Sequence, residues 1–198
     1  MQYADGTQYT GEWRNDKRNG TGEFTWLDGS RYEGDFRDDE MHGNGTFTWK
    51  SGASYTGSWR NNKKNGKGTM KYKDGSTYEG GWTNDKRHGE GTMTWTNGTQ
   101  YEGEFHQDVK DGNGTYTWPN GCQYVGDWAQ GKRTGHGICT YPDGGQYEGQ
   151  FKNNLKEGRG IFTFKDTSTY IGDWKNDLKE GKGIFTWADG NKFSGEWK

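Results

Sequence analysis

The sequence is poor in aliphatic side chains: only 26% of its 198 residues are hydrophobic, and aromatic rings supply 16 of those percentage points. Such poverty excludes the usual core of Leu, Ile and Val, and in many chains it signals disorder. Charge of one sign is also lacking. With 26 basic and 28 acidic residues the net charge is −2, which gives no strong field for nucleic acid or an anionic membrane. No apolar run approaches the length of a bilayer crossing, and the opening "MQYADGTQYT" lacks the apolar stretch of a secretory signal, so the sequence reads as soluble and cytoplasmic. The two cysteines, Cys122 and Cys139, have no metal-ligand or redox spacing and read as unpaired thiols of a reducing compartment.

What is present is 11 Trp, 12 Tyr, 9 Phe and 36 Gly, and they are ordered. The aromatic Tyr9 recurs after 23 residues as Tyr32, Tyr55, Tyr78, Tyr101, Tyr124, Tyr147, Tyr170 and finally Phe193, with no insertion or deletion. Glycine follows two residues later from Gly11 to Gly195, and Trp or Phe two further on from Trp13 to Trp197. A Gly-x-Gly pair, first Gly20 and Gly22, closes each unit's invariant set. Full units span 9–31, 32–54, 55–77, 78–100, 101–123, 124–146, 147–169 and 170–192, with partial units at 1–8 and 193–198, so that 1–198 reads as a single array.

Invariant letters two apart share one face of a strand, and glycine at this density excludes helix. Each unit therefore reads as two strands, "YTGEW" and "GTGEFTW", joined by a polar loop "RNDKRN", with a hairpin at "LDGS" leading to the next unit. A three-residue hairpin loop with Gly29 at positive φ pairs Phe24 with Tyr32 and Gly22 with Gly34, which gathers the rings on one face. The same parity around the polar loop sets Tyr9 opposite Phe24, Gly11 opposite Gly22 and Trp13 opposite Gly20. Rings lying on glycine rows form the only core, while Thr10, Glu12, Glu23 and Thr25 face water. The fold class is all-β: an elongated single-layer antiparallel meander, reaching roughly 80 Å for some 17 strands. Both ends are abrupt, so a fragment of a longer array, or strand edges covered by a partner or a second copy, is expected.

The pattern "YEGEF…DGNGTYTW" resembles the MORN (membrane occupation and recognition nexus) repeat over essentially the whole chain. The resemblance implies a β-hairpin repeat protein without catalytic activity or cofactor, of a kind found in junctophilins, in retinophilin, which binds myosin tails, in radial spoke heads and in protist scaffolds. The chain departs from the pattern at Thr167, where the turn glycine is missing and a differently built turn is expected. Met70, Met93 and Cys139 replace the Phe24-type ring, and Leu155 and Leu178 enter the polar loops.

No constellation points to chemistry. His42 and His88 share one repeat position two units apart, His106 and His136 occupy two others, and all four read as surface histidines rather than metal ligands. The Gly-x-Gly pairs recur too often for phosphate loops, and no helix follows them. The sequence-level expectation is a non-enzymatic scaffold, associated with the cytoskeleton or a cilium, that binds a helix or extended peptide of a cytoskeletal, motor or ciliary component. Its expected site is an aromatic groove made by Tyr55, Trp59, Tyr78, Trp82, Tyr101, Phe105, Tyr124, Trp128, Tyr147 and Phe151. One alternative is a membrane tether, with Lys63, Lys64, Lys86, Arg87, Lys132 and Arg133 as an edge stripe for phosphoinositides. Another is self-assembly, as a homodimer joined through terminal strands.

Overall fold

The computed structural model describes all residues from 1 to 198, and every regular element in it is a strand. Seventeen antiparallel strands belong to one sheet. The chain divides into two compact units, Met1–Thr96 with His106–Asp108, and Asn97–Phe105 with Val109–Lys198. The first holds β1 (Gln8–Arg14), β2 (Lys17–Thr25), β3 (Arg31–Arg37), β4 (Glu40–Thr48), β5 (Ser54–Arg60), β6 (Lys63–Lys71), β7 (Thr77–Thr83) and β8 (Lys86–Thr94). To the second belong β9 (Gln100–His106) up to Phe105, β10 (Val109–Thr117), β11 (Gln123–Ala129), β12 (Lys132–Thr140), β13 (Gln146–Lys152), β14 (Leu155–Thr163), β15 (Thr169–Lys175), β16 (Leu178–Thr186) and β17 (Lys192–Trp197). No helix is long and apolar enough to cross a membrane.

Within each unit successive strands pair in register, and two turn types alternate. The Asp-Gly hairpin is built as the sequence indicates. Phe24 pairs with Tyr32 and Gly22 with Gly34 around the loop Leu27–Asp28–Gly29. The Asp28 carboxylate accepts from the Ser30 amide at 2.8 Å, and Gly29 takes φ +87°, where an L side chain would be strained. At Thr167 the structure corrects the expectation of a different turn. Thr167 adopts φ 69°, donates its amide to Phe164 O at 3.0 Å as the glycines do at that position, and is followed by the same Asp166-to-Ser168 bond. A β-branched residue is thus forced into the left-handed region.

The second turn departs from the sequence reading. "RNDKRN" is not a six-residue loop; Asn15 and Asp16, with φ 50° and 59°, form a two-residue turn between Arg14 and Lys17. Asn-Asp, Asp-Asp, Asn-Asn or Gln-Asp pairs do the same in other units, because short amide and carboxylate side chains tolerate left-handed backbone. Tyr9 faces Phe24 and Gly11 faces Gly22 as expected, but Trp13 faces Arg18, not Gly20. A bulge between Gly11 and Trp13 absorbs the difference, and the Glu12 carboxylate accepts the released Thr21 amide at 3.1 Å. Asp35, Glu104 and Asp127 cap Asn44, Asn113 and His136 in the same way. The Glu12 position therefore faces water and also supports the bulge.

Candidate functional site: the ring face

The core is two-tiered, and the lower tier rests on glycine. The tyrosine that opens each full repeat, from Tyr9 to Tyr170, is 0% exposed. Its ring lies over a cross-strand glycine pair: a Cβ at Gly91 would stand 2.6 Å from Cε2 and Cζ of Tyr78. The hydroxyl reaches past the glycines and donates to the main chain three residues on, Tyr78 to Gly81 O and Tyr124 to Asp127 O, both at 3.0 Å. Edge-on rings clamp it from both sides. Tyr55 meets Trp59 of its own strand at 5.1 Å and Trp82 of the next repeat at 5.4 Å. Tyr124 meets Trp128 and Phe151 at 5.4 and 5.0 Å. Edge-to-face geometry of this kind adds about 0.5–1.5 kcal/mol per pair beyond area burial. Indole N–H groups inside the array are satisfied too, Trp59 donating to Gly45 O at 3.0 Å and Trp128 to Gly114 O at 3.1 Å, whereas Trp197 Nε1 is buried without a partner.

All ten groove residues expected from the sequence lie in this tier, and all ten are buried; Trp82 is 4% and Phe105 4% exposed. They are the floor of the face, not its accessible surface, which corrects the expectation of a directly contacting set. Rings can hide one another here without a second sheet because glycine leaves each tyrosine room to lie flat. The accessible tier comes from two other positions. Trp26, Trp49, Tyr72, Trp95, Trp118, Tyr141 and Phe164 are half-exposed and Trp187 is 47% exposed. Beside them stand Phe47, Tyr116, Phe162 and Phe185, also half-exposed, and buried Phe24, Met70, Met93 and Cys139.

The same tier carries a cation in every full repeat except the second, where Met41 stands. Lys64 Nζ lies 4.4 Å from the Trp82 ring, and Lys110 Nζ 4.2 and 4.5 Å from Trp128 and Tyr116. Lys156 and Lys179 each rest over four rings, and Arg133 over Trp118, Tyr124 and Phe151. Burial lowers the pKa of Lys64, Lys156 and Lys179, and burial together with the Arg133 charge brings Lys110 down to about 8. Sequence reasoning missed this row because it assigned these residues to a loop. The signal was available in the left-handed-tolerant pair at 15–16 and its repeats, which ends the turn one residue before Lys17.

The proposed lipid stripe does not assemble. Strand parity turns Lys63, Lys86 and Lys132 to the exposed opposite face while Lys64, Arg87 and Arg133 fold onto rings. Two pairs that sequence kept apart do meet. The Cys122 thiol lies beside Cys139, and burial, reinforced by that neighbour, pushes its pKa up to about 11. The His88 and His106 rings meet at 5.2 Å, tilted by 56°. The opposite face of the second unit also carries an exposed β-branched row, including Val125, Ile161, Ile171 and Ile184.

A search of curated protein sequences finds no relative that matches. Among solved structures the chain is similar to the TCP10 domain of Danio rerio CPAP, with a TM-score of 0.55 at 8% identity over 99% of this chain and 92% of that one. This shows a shared sheet architecture. The Drosophila melanogaster SAS-4 TCP domain, solved with a proline-rich motif of Ana2, aligns with a TM-score of 0.49 at 15% identity over 89% and 90% of the chains. The family model of the MORN repeat matches residues 9–31, 32–54, 55–77, 78–100, 101–123, 124–146, 147–169 and 170–192 in succession. On that match, and on a strand-turn-strand unit repeated in the same frame, the chain belongs to the MORN repeat family.

Proposed function

We propose that the chain is a non-enzymatic scaffold that holds a segment of another protein on its ring face, within a cytoskeletal or ciliary assembly. One observation carries this reading: a continuous tier of half-exposed rings within each unit, presented on a floor that is already packed and hydrogen-bonded. A surface of large rigid rings gives contact area at low entropic cost, which is how aromatic anchors dominate protein interfaces. The floor residues, from Tyr55 to Phe151, hold the outer rings in place and do not themselves meet the partner.

The test is a crosslinking pulldown from ciliated-cell extract with wild type and with Trp49→Ser and Trp118→Ser, both outer-tier positions. Loss of the captured proteins, with unchanged melting temperature, supports the reading; the same proteins at the same salt overturn it. A tagged chain that stays diffuse in cells whose cilia and cytoskeleton are intact removes the cellular part of the proposal.

A further inference from the structure

The two units differ in how their ring-face cations are neutralised. In the first unit Arg18 and Arg87 bond the Asp39 and Asp108 carboxylates, each at 3.1 Å, and Asp85 accepts the Lys64 amide at 2.9 Å and sits close enough to act on its ammonium. The acid always comes from the next two-residue turn. At the equivalent turn positions the second unit has Gly131 and Asn154, so Lys110 and Arg133 have no carboxylate there, while Asp177 accepts the Lys156 amide at 2.8 Å and acts on its ammonium as Asp85 does on that of Lys64. None of Lys110, Arg133, Lys156 and Lys179 has an ion-pair partner within 4.0 Å. Half-buried cations over rings, with no carboxylate within ion-pair distance, are groups that an incoming carboxylate stabilises.

Resting on the scaffold reading above, we propose that the ring face of the second unit binds an acidic segment in polyproline-II conformation, with a carboxylate at every third residue and apolar side chains between. Spacing decides the conformation. Successive cations are two strands apart, about 9.6 Å at about 4.8 Å per strand. A polyproline-II segment advances about 9.3 Å per three residues and returns the same side to the face, so over three intervals it drifts by about 1 Å. A helix with acids every seventh residue advances about 10.5 Å and drifts by close to 3 Å over the same distance, beyond hydrogen-bond tolerance. A β-strand fails because residues three apart point to opposite sides. Trp118, Tyr141 and Phe164 stand between the cations as platforms for the intervening apolar residues.

The probe is a fluorescein-labelled peptide of four Glu-Leu-Pro repeats, titrated against the full chain by anisotropy. Comparison peptides are Gln-Leu-Pro and Lys-Leu-Pro repeats and a peptide of the same composition with its glutamates contiguous. The Glu-Leu-Pro peptide is expected to bind best and to weaken as salt rises. Lys110→Met and Lys156→Met are each expected to weaken it about tenfold. Methionine already occupies this position as Met41, so the substitutions keep a side chain that the repeat accommodates. If Gln-Leu-Pro binds as tightly, or the methionine variants change nothing, the acidic assignment is overturned while the ring-face reading stands. If Trp118→Ala leaves the binding of every peptide unchanged, both fall. Tighter binding of the contiguous-acid peptide, of a single-stranded oligonucleotide or of phosphoinositide vesicles also overturns it.

Discussion

Replacing Gly80 by alanine tests the physical claim on which the ring face depends. Within the same hairpin, Gly89 supplies a control. A Cβ at Gly80 would stand 2.5 Å from Gly91 Cα and 2.6 Å from both Glu90 O and the Tyr78 hydroxyl oxygen. Two of the three are backbone atoms, so relief requires the strands to part or Tyr78 to leave a site where it is 0% exposed. Overpacking costs about 1–3 kcal/mol, and partial exposure of a large ring adds about 1.5–3, for an expected loss of about 3–5 kcal/mol. At Gly89 the φ is +73° and nothing lies within 4 Å of the added Cβ. Gly89→Ala therefore incurs only left-handed strain of about 1–2 kcal/mol, offset by about 0.4–1 from a less flexible unfolded chain. For a chain of this length these convert to a fall in melting temperature of about 10 °C for Gly80→Ala and about 2–3 °C for Gly89→Ala. Thermal melts followed by tryptophan fluorescence and far-UV circular dichroism measure both. Equal losses in the two variants would refute the argument that glycine at Gly80 is there to seat a ring.

Thr167→Gly relieves a strained φ and is expected to raise the melting temperature by about 2–4 °C, roughly 1 kcal/mol; a fall would mean that the threonine side chain contributes something the turn geometry does not show. Burial holds the Tyr55 and Tyr78 hydroxyls up at about 12, so their contribution to stability is complete below pH 10 and is lost as pH rises through about 12. Tyrosinate absorbance that rises late, together with loss of the sheet, is the expected signature, and titration of all tyrosines near pH 10 in an intact fold contradicts it. Lys110, lowered to about 8, has the opposite sign: its burial penalty is felt below pH 8 and lifts as pH approaches 10.5. Wild type should therefore gain stability relative to Lys110→Met between pH 7 and 10, as read from urea melts; a constant difference would place that ammonium in water.

The strand class, the frame and the Asp-Gly hairpin were legible because each leaves a local mark. Alternation at period two names the strand, and Gly29 names a turn that needs positive φ. The other turn was hidden because its residues, such as Asn15 and Asp16, are also what any polar loop contains, and only their pairwise recurrence distinguishes them. Misplacing that turn moved Arg18 and Lys64 off the sheet and concealed the cation row. The buried floor was legible as a set of residues but not as a depth. Burial of Trp82 depends on Tyr55, Tyr78 and Lys64 closing around it at once, and no short window of sequence contains that arrangement.

The clamping of Tyr55 between Trp59 and Trp82 also bears on how such arrays change length. Excising residues 55–77 joins Ser54 to Tyr78, and every ring then meets a neighbour of the kind it had before. Removing one residue more or fewer turns the following rings toward water and strands their hydroxyls. The array is thus built to be lengthened or shortened by whole modules of 23 residues, and a deletion of another size within a strand misplaces the next tyrosine.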